Sequence, residues 1–361
     1  MSDDRLAAAR ARIDALDEQL QKLISERAGI AREIAEIKAA VDGGEGNCYR
    51  PAREAEVLRA VAERNHGPLS DETVTRLMRE IMSACLALES PLKVAYLGPE
   101  GTYTQAAVYK HFGHSVEAVA MSAIDEIFRE VEAGNADYGV VPVENSTEGV
   151  VSHTLDQLVG SPLSIVGEVA LAVHHHLLSN APSLERVRRV VAHAQSLAQC
   201  RKWLDAKMPN VVREAVASNG EAARMVRHES ESAAIAGRAA SELYELPILA
   251  ANIEDEPNNT TRFLVLGDQP VPATGQDMTS VLVSIHNRPG MLHRLLTPAA
   301  EAGVDLSRIE SRPSRRQPWD YNFFIDLEGH VEDAAVRQVI DRIEAEAAYL
   351  KILGAYPKAV L

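Results

Sequence analysis

Positive charge is scarce in this chain. Lys and Arg total 37 against 52 for Asp and Glu, which gives a formal net charge of -15 at pH 7. A balance of this sign repels nucleic acid and anionic membranes unless basic residues are concentrated locally. We therefore expect neither of these partners, whereas a small anion stays possible because its pocket needs just a few well-placed donors.

Cysteines are few, and the usual nucleotide-binding motifs are missing. Cys48, Cys85 and Cys200 are far apart in the chain, so they form no CxxC pair and no disulfide framework, and we expect free thiols. The stretch "GPEG" is not GxGxxG, and no GxxxxGK[ST] occurs, so dinucleotide and nucleoside triphosphate binding lack support. We expect no cofactor.

The chain also lacks a long apolar run at its start and an obvious metal site. The stretch "MSDDRLAAARARIDALDE" is charged throughout, which excludes a secretory signal or membrane span there and favours a cytoplasmic protein. Three consecutive histidines, His174 to His176, follow the apolar run "LSIVGEVALAV". Neighbouring strand residues point to opposite faces, so we expect no metal there.

Three segments differ in their residue patterns. With 361 residues, 46% of them hydrophobic, the chain is long enough for two or three domains. Residues 1–90 show helical periodicity alone, which predicts an all-α domain. Residues 92–267 alternate short apolar strands with helices, which predicts an α/β domain. After the Pro- and Gly-containing linker "DQPVPATGQD", residues 278–361 follow a β-α-β-β-α-β order, which predicts an α+β, ferredoxin-like domain.

The first forty residues predict one long helix with a coiled-coil-like apolar seam, because apolar side chains recur in steps of three and four. The seam residues are Leu6, Ile13, Leu16, Leu20, Leu23, Ile30, Ile34, Ile37 and Val41. Arg27 lies on this seam. A buried, unpaired guanidinium is costly, so a seam arginine indicates an anionic partner, and that partner could be a substrate.

The reach of the basic residues suggests a shared site. Arg27 and Lys38 are roughly 16 Å apart on nearly the same helix face, so both could contact one small ligand. Arg10 is roughly 25 Å from Arg27 and cannot reach that ligand within its own helix. If all three bind one molecule, Arg10 must come from a second, antiparallel copy, which makes the domain an obligate dimer. The alternative is that these cations are solvated and pair with Glu26 or Glu33.

The strings "RARIDALDEQLQKLISERAGIAREIAEIK", "YRPAREAEVL" and "TRLMREIMSACLALE" resemble the all-helical chorismate mutase domain. The resemblance implies an intertwined dimer that binds the dicarboxylate chorismate between helices. It implies one chorismate site formed by Arg10 of one subunit and five residues of the other, namely Arg27, Lys38, Arg53, Glu54 and Glu89. Glu54 would accept from the ring hydroxyl, while Lys38 and Glu89 would face the ether oxygen as catalytic groups. The pericyclic reaction needs a folded conformer and charge stabilisation rather than a nucleophile.

Three positions depart from that family's pattern. Some members carry an amide at the position of Glu89, and a carboxylate must be protonated to donate a hydrogen bond, so mutase activity should weaken as pH rises. Arg50 and Cys85 stand where well-known relatives carry a small acidic and a hydroxyl residue.

Five loops of the middle segment share one residue pattern. "GPEGTYTQAAV", "VPVENSTEGVVSHTLDQL", "AHAQSLAQC", "ASNGEAAR" and "NNTTRF" each place Ser, Thr, Asn or Gly at a strand end or helix start. Free backbone N–H groups and the helix dipole favour anions at such places. Any one loop alone could be an ordinary helix cap, but five together favour convergence on an anion.

The same strings resemble prephenate dehydratase, which implies two α/β lobes similar to periplasmic binding proteins and an active site in the cleft between them. That reaction removes the ring hydroxyl and carbon dioxide from prephenate. The T-R-F motif matches Thr261, Arg262 and Phe263, and Thr261 would donate to the leaving hydroxyl. Further expected prephenate-binding groups are Thr102, Asn145 and Ser146. Glu144 and Glu148 could each be a general acid or a loop cap, and the sequence does not decide.

The last segment, through "NRPGML" and "IESRPSRRQPWDYNFFIDLEGH", resembles the regulatory ACT domain of prephenate dehydratases, in which phenylalanine binds at a dimer interface. The resemblance implies that the effector contacts two motifs, namely Gly290, Met291 and Leu292, and Glu310, Ser311, Arg312 and Pro313. Met291 stands where many relatives have alanine. The alternative is a purely structural dimerisation unit.

Taken together, the resemblances imply a multidomain enzyme of phenylalanine biosynthesis that converts chorismate to prephenate and prephenate to phenylpyruvate. They also imply feedback inhibition by L-phenylalanine and a homodimer or higher even homo-oligomer. Two alternatives stay open. The middle domain could dehydrate arogenate, or the chain could be a non-catalytic amino-acid sensor, although a sensor has no need to keep Arg27, Lys38 and Thr261.

Overall fold

A computed structural model describes residues 2–42, 49–286, 288–313 and 321–360. In the described residues of the first segment, helices are the only regular elements. Its helices are α1 (Ser2–Asp42), α2 (Pro51–Glu63) and α3 (Asp71–Ala87). Ser70 caps α3 by accepting a hydrogen bond from the N–H of Thr73, as a serine before an acidic first turn predicts. The predicted all-α domain is confirmed.

The long helix α1 leaves its apolar seam uncovered. At 1.5 Å per residue it extends for roughly 60 Å, and α3 packs against its C-terminal half near the buried Ala35. The eight seam residues from Leu6 to Ile37 whose side chains are described each stay between 47% and 60% exposed. An exposed apolar stripe of this length is typical of a protein interface, because water around so many Leu and Ile side chains is unfavourable.

The middle segment forms two lobes. The sheet of the first lobe has the strand order β2-β1-β3-β11-β5, with β4 added beside β3. Its strands are β1 (Lys93–Leu97), β2 (Glu117–Met121), β3 (Tyr138–Asn145), β4 (Gly149–Val150), β5 (Ser164–Ala172) and, from much later in the chain, β11 (Thr260–Gly267). Its helices are α4 (Tyr103–Phe112), α5 (Ile124–Glu132) and α6 (Ser152–Gly160).

The second lobe has a five-stranded sheet with the order β10-β6-β9-β7-β8. Its strands are β6 (His176–Leu178), β7 (Arg189–His193), β8 (Val212–Val216), β9 (Ser232–Ala236) and β10 (Ile248–Ala250). Its helices are α7 (Ala194–Gln199), α8 (Arg201–Lys207), α9 (Asn219–Val226) and α10 (Arg238–Leu243), with a short 3-10 helix at Leu184–Arg186. The chain crosses between the lobes twice, at residues 173–175 and 251–259, so a cleft lies between them.

The C-terminal segment is a four-stranded antiparallel sheet with two helices, in the order β13-β14-β12-β15. Its elements are β12 (Asp277–Ile285), α11 (Met291–Ala302), β13 (Leu306–Pro313), β14 (Tyr321–Glu328), α12 (Ala334–Glu346) and β15 (Tyr349–Pro357). This is the predicted ferredoxin-like unit, and with the two α/β lobes it confirms the predicted fold class.

Strand β15 packs closely against β5 of the first lobe. A Cβ atom on Gly354 would lie 2.1 Å from the carbonyl oxygen of Ile165, so glycine is required for this approach. The helical segment joins the same assembly, because Tyr49 and Ala52 are buried in the core of the first lobe. The segments therefore share packed interfaces rather than flexible connections. None of the described helices is long and apolar enough to cross a membrane.

Candidate active sites

A cavity of about 250 Å³ lies where α1, α2 and α3 meet. We call it the helical cavity. It is lined by Arg27, Ala31, Ile34, Tyr49, Arg50, Arg53, Glu54, Met82, Ser83, Cys85, Leu86, Glu89 and Phe112. Three arginines face it, so it suits an anion.

The helical cavity contains four of the six residues predicted to bind chorismate, namely Arg27, Arg53, Glu54 and Glu89. Arg27 is half-buried, as its position on the seam predicts. Lys38 lies on α1, but its side chain is outside the described part of the structure. Arg10 is exposed on α1, roughly 25 Å from Arg27 by helical rise, so it does not reach this cavity in its own chain.

Two residues that depart from the family pattern also line the helical cavity. Arg50 immediately precedes α2, and Cys85 lies on the buried face of α3. Both are therefore placed to contact a ligand, which the sequence pattern alone did not indicate. Cys85 and Cys200 are free thiols, as predicted, and Cys48 lies outside the described residues.

Burial raises the pKa of Glu54 to about 7, although the neighbouring Arg79 guanidinium and a hydrogen bond from Tyr49 both act to lower it. The Arg79 Nε and Glu54 Oε1 atoms are 3.7 Å apart, and both side chains are largely buried. A carboxylate with a pKa near neutrality responds strongly to nearby charge. The ionisation of Glu54 therefore depends on the Arg79 charge beside it.

A second cavity of about 370 Å³ lies between the two lobes of the middle segment. We call it the cleft. All five predicted anion-binding loops contribute to its wall, through Thr102, Asn145, Ser196, Ser218 and Thr261 among others. They converge because the loops follow strands of both sheets at the edges that face the inter-lobe space. The predicted convergence is therefore what the structure shows.

The hydroxyl group of Thr261 has a defined orientation. The Asn145 Oδ1 atom accepts hydrogen bonds from the backbone N–H groups of Thr147 and Glu148, at 3.0 and 3.1 Å. Its Nδ2 group must therefore be the donor, and it donates to Thr261 Oγ1 at 2.8 Å and to Asn259 Oδ1 at 2.8 Å. Because Thr261 already accepts from Asn145, its own proton is available to a molecule in the cleft.

The cleft is suited to anions although it lacks basic side chains among the described residues. Among the described residues its wall includes no Lys or Arg, but α4, α7 and α9 all begin at it. The capping side chains Thr102, His193 and Ser218 each satisfy one N–H of the first turn. The remaining N–H groups and the helix dipoles favour carboxylates at this wall.

The histidine run contributes one residue to the cleft, which the sequence interpretation missed. His175 lines it, with its Nε2 atom 2.8 Å from Gln199 Oε1 and its Nδ1 atom 3.0 Å from the hydroxyl of Tyr103. Burial lowers the pKa of His175, so the ring is neutral at neutral pH. No cluster of metal-ligating side chains occurs in the described parts of the chain. The feature that could have identified His175 is its position in residues 173–175, where the chain first crosses from one lobe to the other.

Two residues predicted to bind prephenate lie outside the cleft wall. The Arg262 guanidinium points to the opposite face of β11, where it bonds Glu168 at 2.8 Å, Asp326 at 2.6 Å and the Tyr356 hydroxyl at 3.0 Å. Successive strand residues face opposite sides, so Thr261 and Arg262 cannot both face the cleft. The expectation that Arg262 contacts the ligand is therefore wrong in this structure.

Ser146 is likewise placed outside the wall. Its hydroxyl accepts from the N–H of Thr260 at 3.0 Å, so it ties the turn after β3 to β11. The two glutamates whose role the sequence does not decide, Glu144 and Glu148, have different surroundings. Glu144 pairs with Arg308 of β13 at 3.2 Å, whereas Glu148 lines the cleft and accepts a hydrogen bond from Gln199 at 3.3 Å.

The two predicted effector motifs lie at the same end of the C-terminal sheet. Pro313 at the end of β13 is opposite Tyr321, and Tyr321 is opposite Ile285 at the end of β12, from which the chain leads to α11. Gly290 adopts a left-handed φ of 83° just before α11, a conformation that glycine allows. Arg312 departs from the expected role, because it donates to Ser152 and Asp156 of α6.

Comparison with known protein families gives matches along most of the chain. The chorismate mutase type II model matches residues 9–90, the prephenate dehydratase model residues 94–271 and the ACT domain model residues 279–345. A curated protein of Stutzerimonas stutzeri named bifunctional chorismate mutase/prephenate dehydratase is 57% identical over 361 residues and covers 99% of both chains. The resemblances predicted for all three segments are thus confirmed.

Solved structures match a large part of the chain. Prephenate dehydratase from Arthrobacter aurescens, in complex with L-Phe, has a TM-score of 0.68 at 32% identity, covering 74% of this chain and 90% of its own. A structure described as a novel type of quorum quenching acylase also has a TM-score of 0.68, at 30% identity, with 74% and 98% covered. Proteins of different described activity therefore share this fold.

Proposed function

The chain belongs to the bifunctional chorismate mutase/prephenate dehydratase family, and from that premise we propose how its two cavities carry out the two reactions. The enzyme rearranges chorismate to prephenate and then dehydrates and decarboxylates prephenate to phenylpyruvate, in phenylalanine biosynthesis. Full-length identity to a bifunctional relative supports these activities, whereas fold similarity alone would not. The domains of this proposal span residues 1–90, 92–267 and 278–361.

The helical cavity is the proposed mutase site. Arg27 and Arg53 bind carboxylates of chorismate, and Arg10 of a second subunit completes the charge balance. Glu54 accepts a hydrogen bond from the ring hydroxyl, while Lys38 and Glu89 stabilise the charge that develops on the ether oxygen. The cations hold the substrate in its folded conformer, so the barrier falls without a covalent step.

The exposed apolar seam of α1 supports a homodimer as the smallest active unit. A second α1 packed antiparallel on the seam would cover its Leu and Ile side chains and bring Arg10 towards Arg27. This seam is the single observation that carries the mutase proposal, because the helical cavity borders it. The proposal includes a cytoplasmic location and no cofactor.

The cleft is the proposed dehydratase site. Carboxylates of prephenate bind at the N-termini of α4, α7 and α9, and Phe263 packs beside the ring. Asn145 orients Thr261 so that its O–H donates to the ring hydroxyl. That group leaves as water once it gains a proton. Loss of carbon dioxide supplies the electron pair that enters the ring, and aromatisation drives the reaction.

L-Phenylalanine is the proposed feedback inhibitor, bound at the end of the C-terminal sheet near Gly290 and Glu310. Three ion pairs link that sheet to residues beside the cleft. Asp326 pairs with Arg262, next to Thr261. Arg308 pairs with Glu144, next to Asn145, and Arg312 pairs with Asp156 of α6. A ligand that shifts the sheet would therefore move the cleft wall, if it favours the less active arrangement.

An assay of the purified full chain tests the proposal. Chorismate should yield prephenate and then phenylpyruvate, and added phenylalanine should lower the second rate. Arogenate supplied in place of prephenate distinguishes the alternative substrate. If neither product forms from its substrate under any of these conditions, the chain is not the enzyme proposed here.

The carboxylate at Glu89 predicts a pH-dependent mutase. A carboxyl group donates to the ether oxygen in its acid form alone, so the mutase rate should fall on the alkaline side of its pH profile. Glu89→Gln keeps a donor at every pH and should flatten the alkaline side of the profile. Measuring kcat/KM for both proteins over the same pH range checks this. A parental profile that is already flat on the alkaline side would contradict the role given to Glu89.

A further inference from the structure

The C-terminal tail, residues 358–360, reaches back to the mutase site. It follows β15 and runs between the helical segment and the first lobe. The N–H of Ala359 donates to Glu168 at 3.1 Å, and the carbonyl of Val360 accepts from Arg79 Nη2 at 3.2 Å. Arg59 of α2 also donates to the carbonyl of Lys358, at 3.4 Å.

The tail closes one wall of a pocket of about 200 Å³ in which all three segments meet. Glu54 and Tyr49 line both this pocket and the helical cavity, so the two spaces share a wall. Arg79 lines the pocket and is 7% exposed. One buried arginine thus contacts the tail of the regulatory domain on one side and Glu54 on the other.

The surroundings of Glu54 leave Arg79 as its nearest cation. On the enclosed side Glu54 faces Arg79, Tyr49, Lys110, His111 and Glu168. Burial lowers the pKa of His111 to about 3, so that ring is neutral, and Glu168 is already paired with Arg262. On the open side Glu54 faces the arginines of the helical cavity and Glu89. Within the described residues, Arg79 is the group at ion-pair distance from Glu54.

We propose that Arg79 is a positioning residue of the mutase site and that the C-terminal tail holds it in place. The Val360 carbonyl fixes the Arg79 guanidinium, which favours the ionised form of Glu54 and directs that carboxylate to the ring hydroxyl of chorismate. The regulatory domain is thereby part of the support of the first active site, 281 residues away in sequence from Arg79. This inference rests on the proposed mutase function of the helical cavity.

The test compares mutase pH profiles of the full chain and its variants between about pH 5 and about pH 9. Arg79→Met removes the charge beside Glu54, and the pKa of that carboxyl should rise by about one unit or more. The acidic limb of the kcat/KM profile should move upward by the same amount. A shift of one unit lowers kcat/KM about tenfold below about pH 6 and about fivefold at pH 7, while the alkaline limb assigned to Glu89 keeps its position. Arg79→Lys should bring the limb back towards its original position.

Arg59→Met is the matched control, because Arg59 also contacts the tail but not Glu54. It should leave the acidic limb unmoved. A chain that ends at Lys358 should shift the limb in the same direction as Arg79→Met, by less. Dehydratase turnover of each variant reports folding.

Two outcomes overturn the inference. The first is an Arg79→Met profile whose acidic limb coincides with that of the parent, whatever the rate. The second applies if Arg79→Met also loses dehydratase turnover, which would indicate misfolding. In that case the chain that ends at Lys358 is used instead, and an acidic limb at the parental position in that chain overturns the inference. A parent without any mutase activity would instead refute the proposed function.

Discussion

Replacing Thr261 by Ala should lower dehydratase turnover by about a hundredfold or more and leave the mutase rate unchanged. Thr261 accepts from Asn145 at 2.8 Å, and this leaves its proton for the leaving hydroxyl of prephenate. Alanine removes that donor while the cleft keeps its shape, so hydroxide departure loses its assistance. The mutase is spared because the helical cavity contains no part of β11.

Thr260→Ala is the matched control for this prediction. It is the same substitution on the preceding residue of β11, whose side chain is not part of the cleft wall. We expect near-parental dehydratase turnover from it. Equal losses in the two variants would indicate a structural effect of the strand, and full turnover in Thr261→Ala would remove Thr261 from the reaction.

Replacing Arg27 by Ala should lower mutase kcat/KM by about a hundredfold or more, with dehydratase turnover on supplied prephenate unchanged. A guanidinium that binds a carboxylate in a desolvated site contributes roughly 2–5 kcal/mol when its loss leaves the partner charge unpaired. Arg27 lines the helical cavity, and alanine at this position on α1 keeps the helix. Initial rates on chorismate and on prephenate separate the two activities.

Arg32→Ala serves as the control on the same helix. Arg32 is largely exposed and pairs with Glu36 at 3.9 Å, outside the helical cavity. Its loss should change the mutase rate little, because exposed ion pairs contribute about 0–1 kcal/mol. Similar losses from Arg27→Ala and Arg32→Ala would mean that general positive charge on α1, rather than a specific contact, supports the reaction.

The fold and most of the candidate sites could be predicted from the sequence because their signals are local. The periodicity of α1 placed Arg27 on an otherwise apolar seam, and the structure has it half-buried at a cavity. The five loops rich in Ser, Thr, Asn and Gly converge on the cleft because strand ends of both lobes meet there. Such features depend on the spacing of neighbouring residues, which the sequence shows directly.

Predictions that depended on the direction of a single side chain were less successful. The T-R-F motif suggested that Thr261 and Arg262 act together, but the strand alternation sends Arg262 to the C-terminal sheet. The sequence pattern does not distinguish His175 from its two neighbours, although the lobe crossing directs it into the cleft. Which face of a strand is turned to a ligand is decided by tertiary packing.

Long-range contacts could not be predicted from the sequence at all. Arg79 meets Glu54 from another helix and Val360 from the far end of the chain. A buried arginine on α3 gives no sequence signal that distinguishes it from a surface cation. Its partners are set by how three domains pack together, and no local pattern records that packing.

A mutase site shared between two chains is tested most directly with mixed subunits. Arg10→Ala and Arg27→Ala subunits, each inactive alone, are co-expressed with different tags, and the heterodimers are isolated. If Arg10 of one subunit completes the site that holds Arg27 of the other, each heterodimer has one intact site of two, and we expect about half of the parental mutase rate. If each site were built within one chain, both sites would carry a substitution, and a heterodimer as inactive as either parent variant would contradict the shared site.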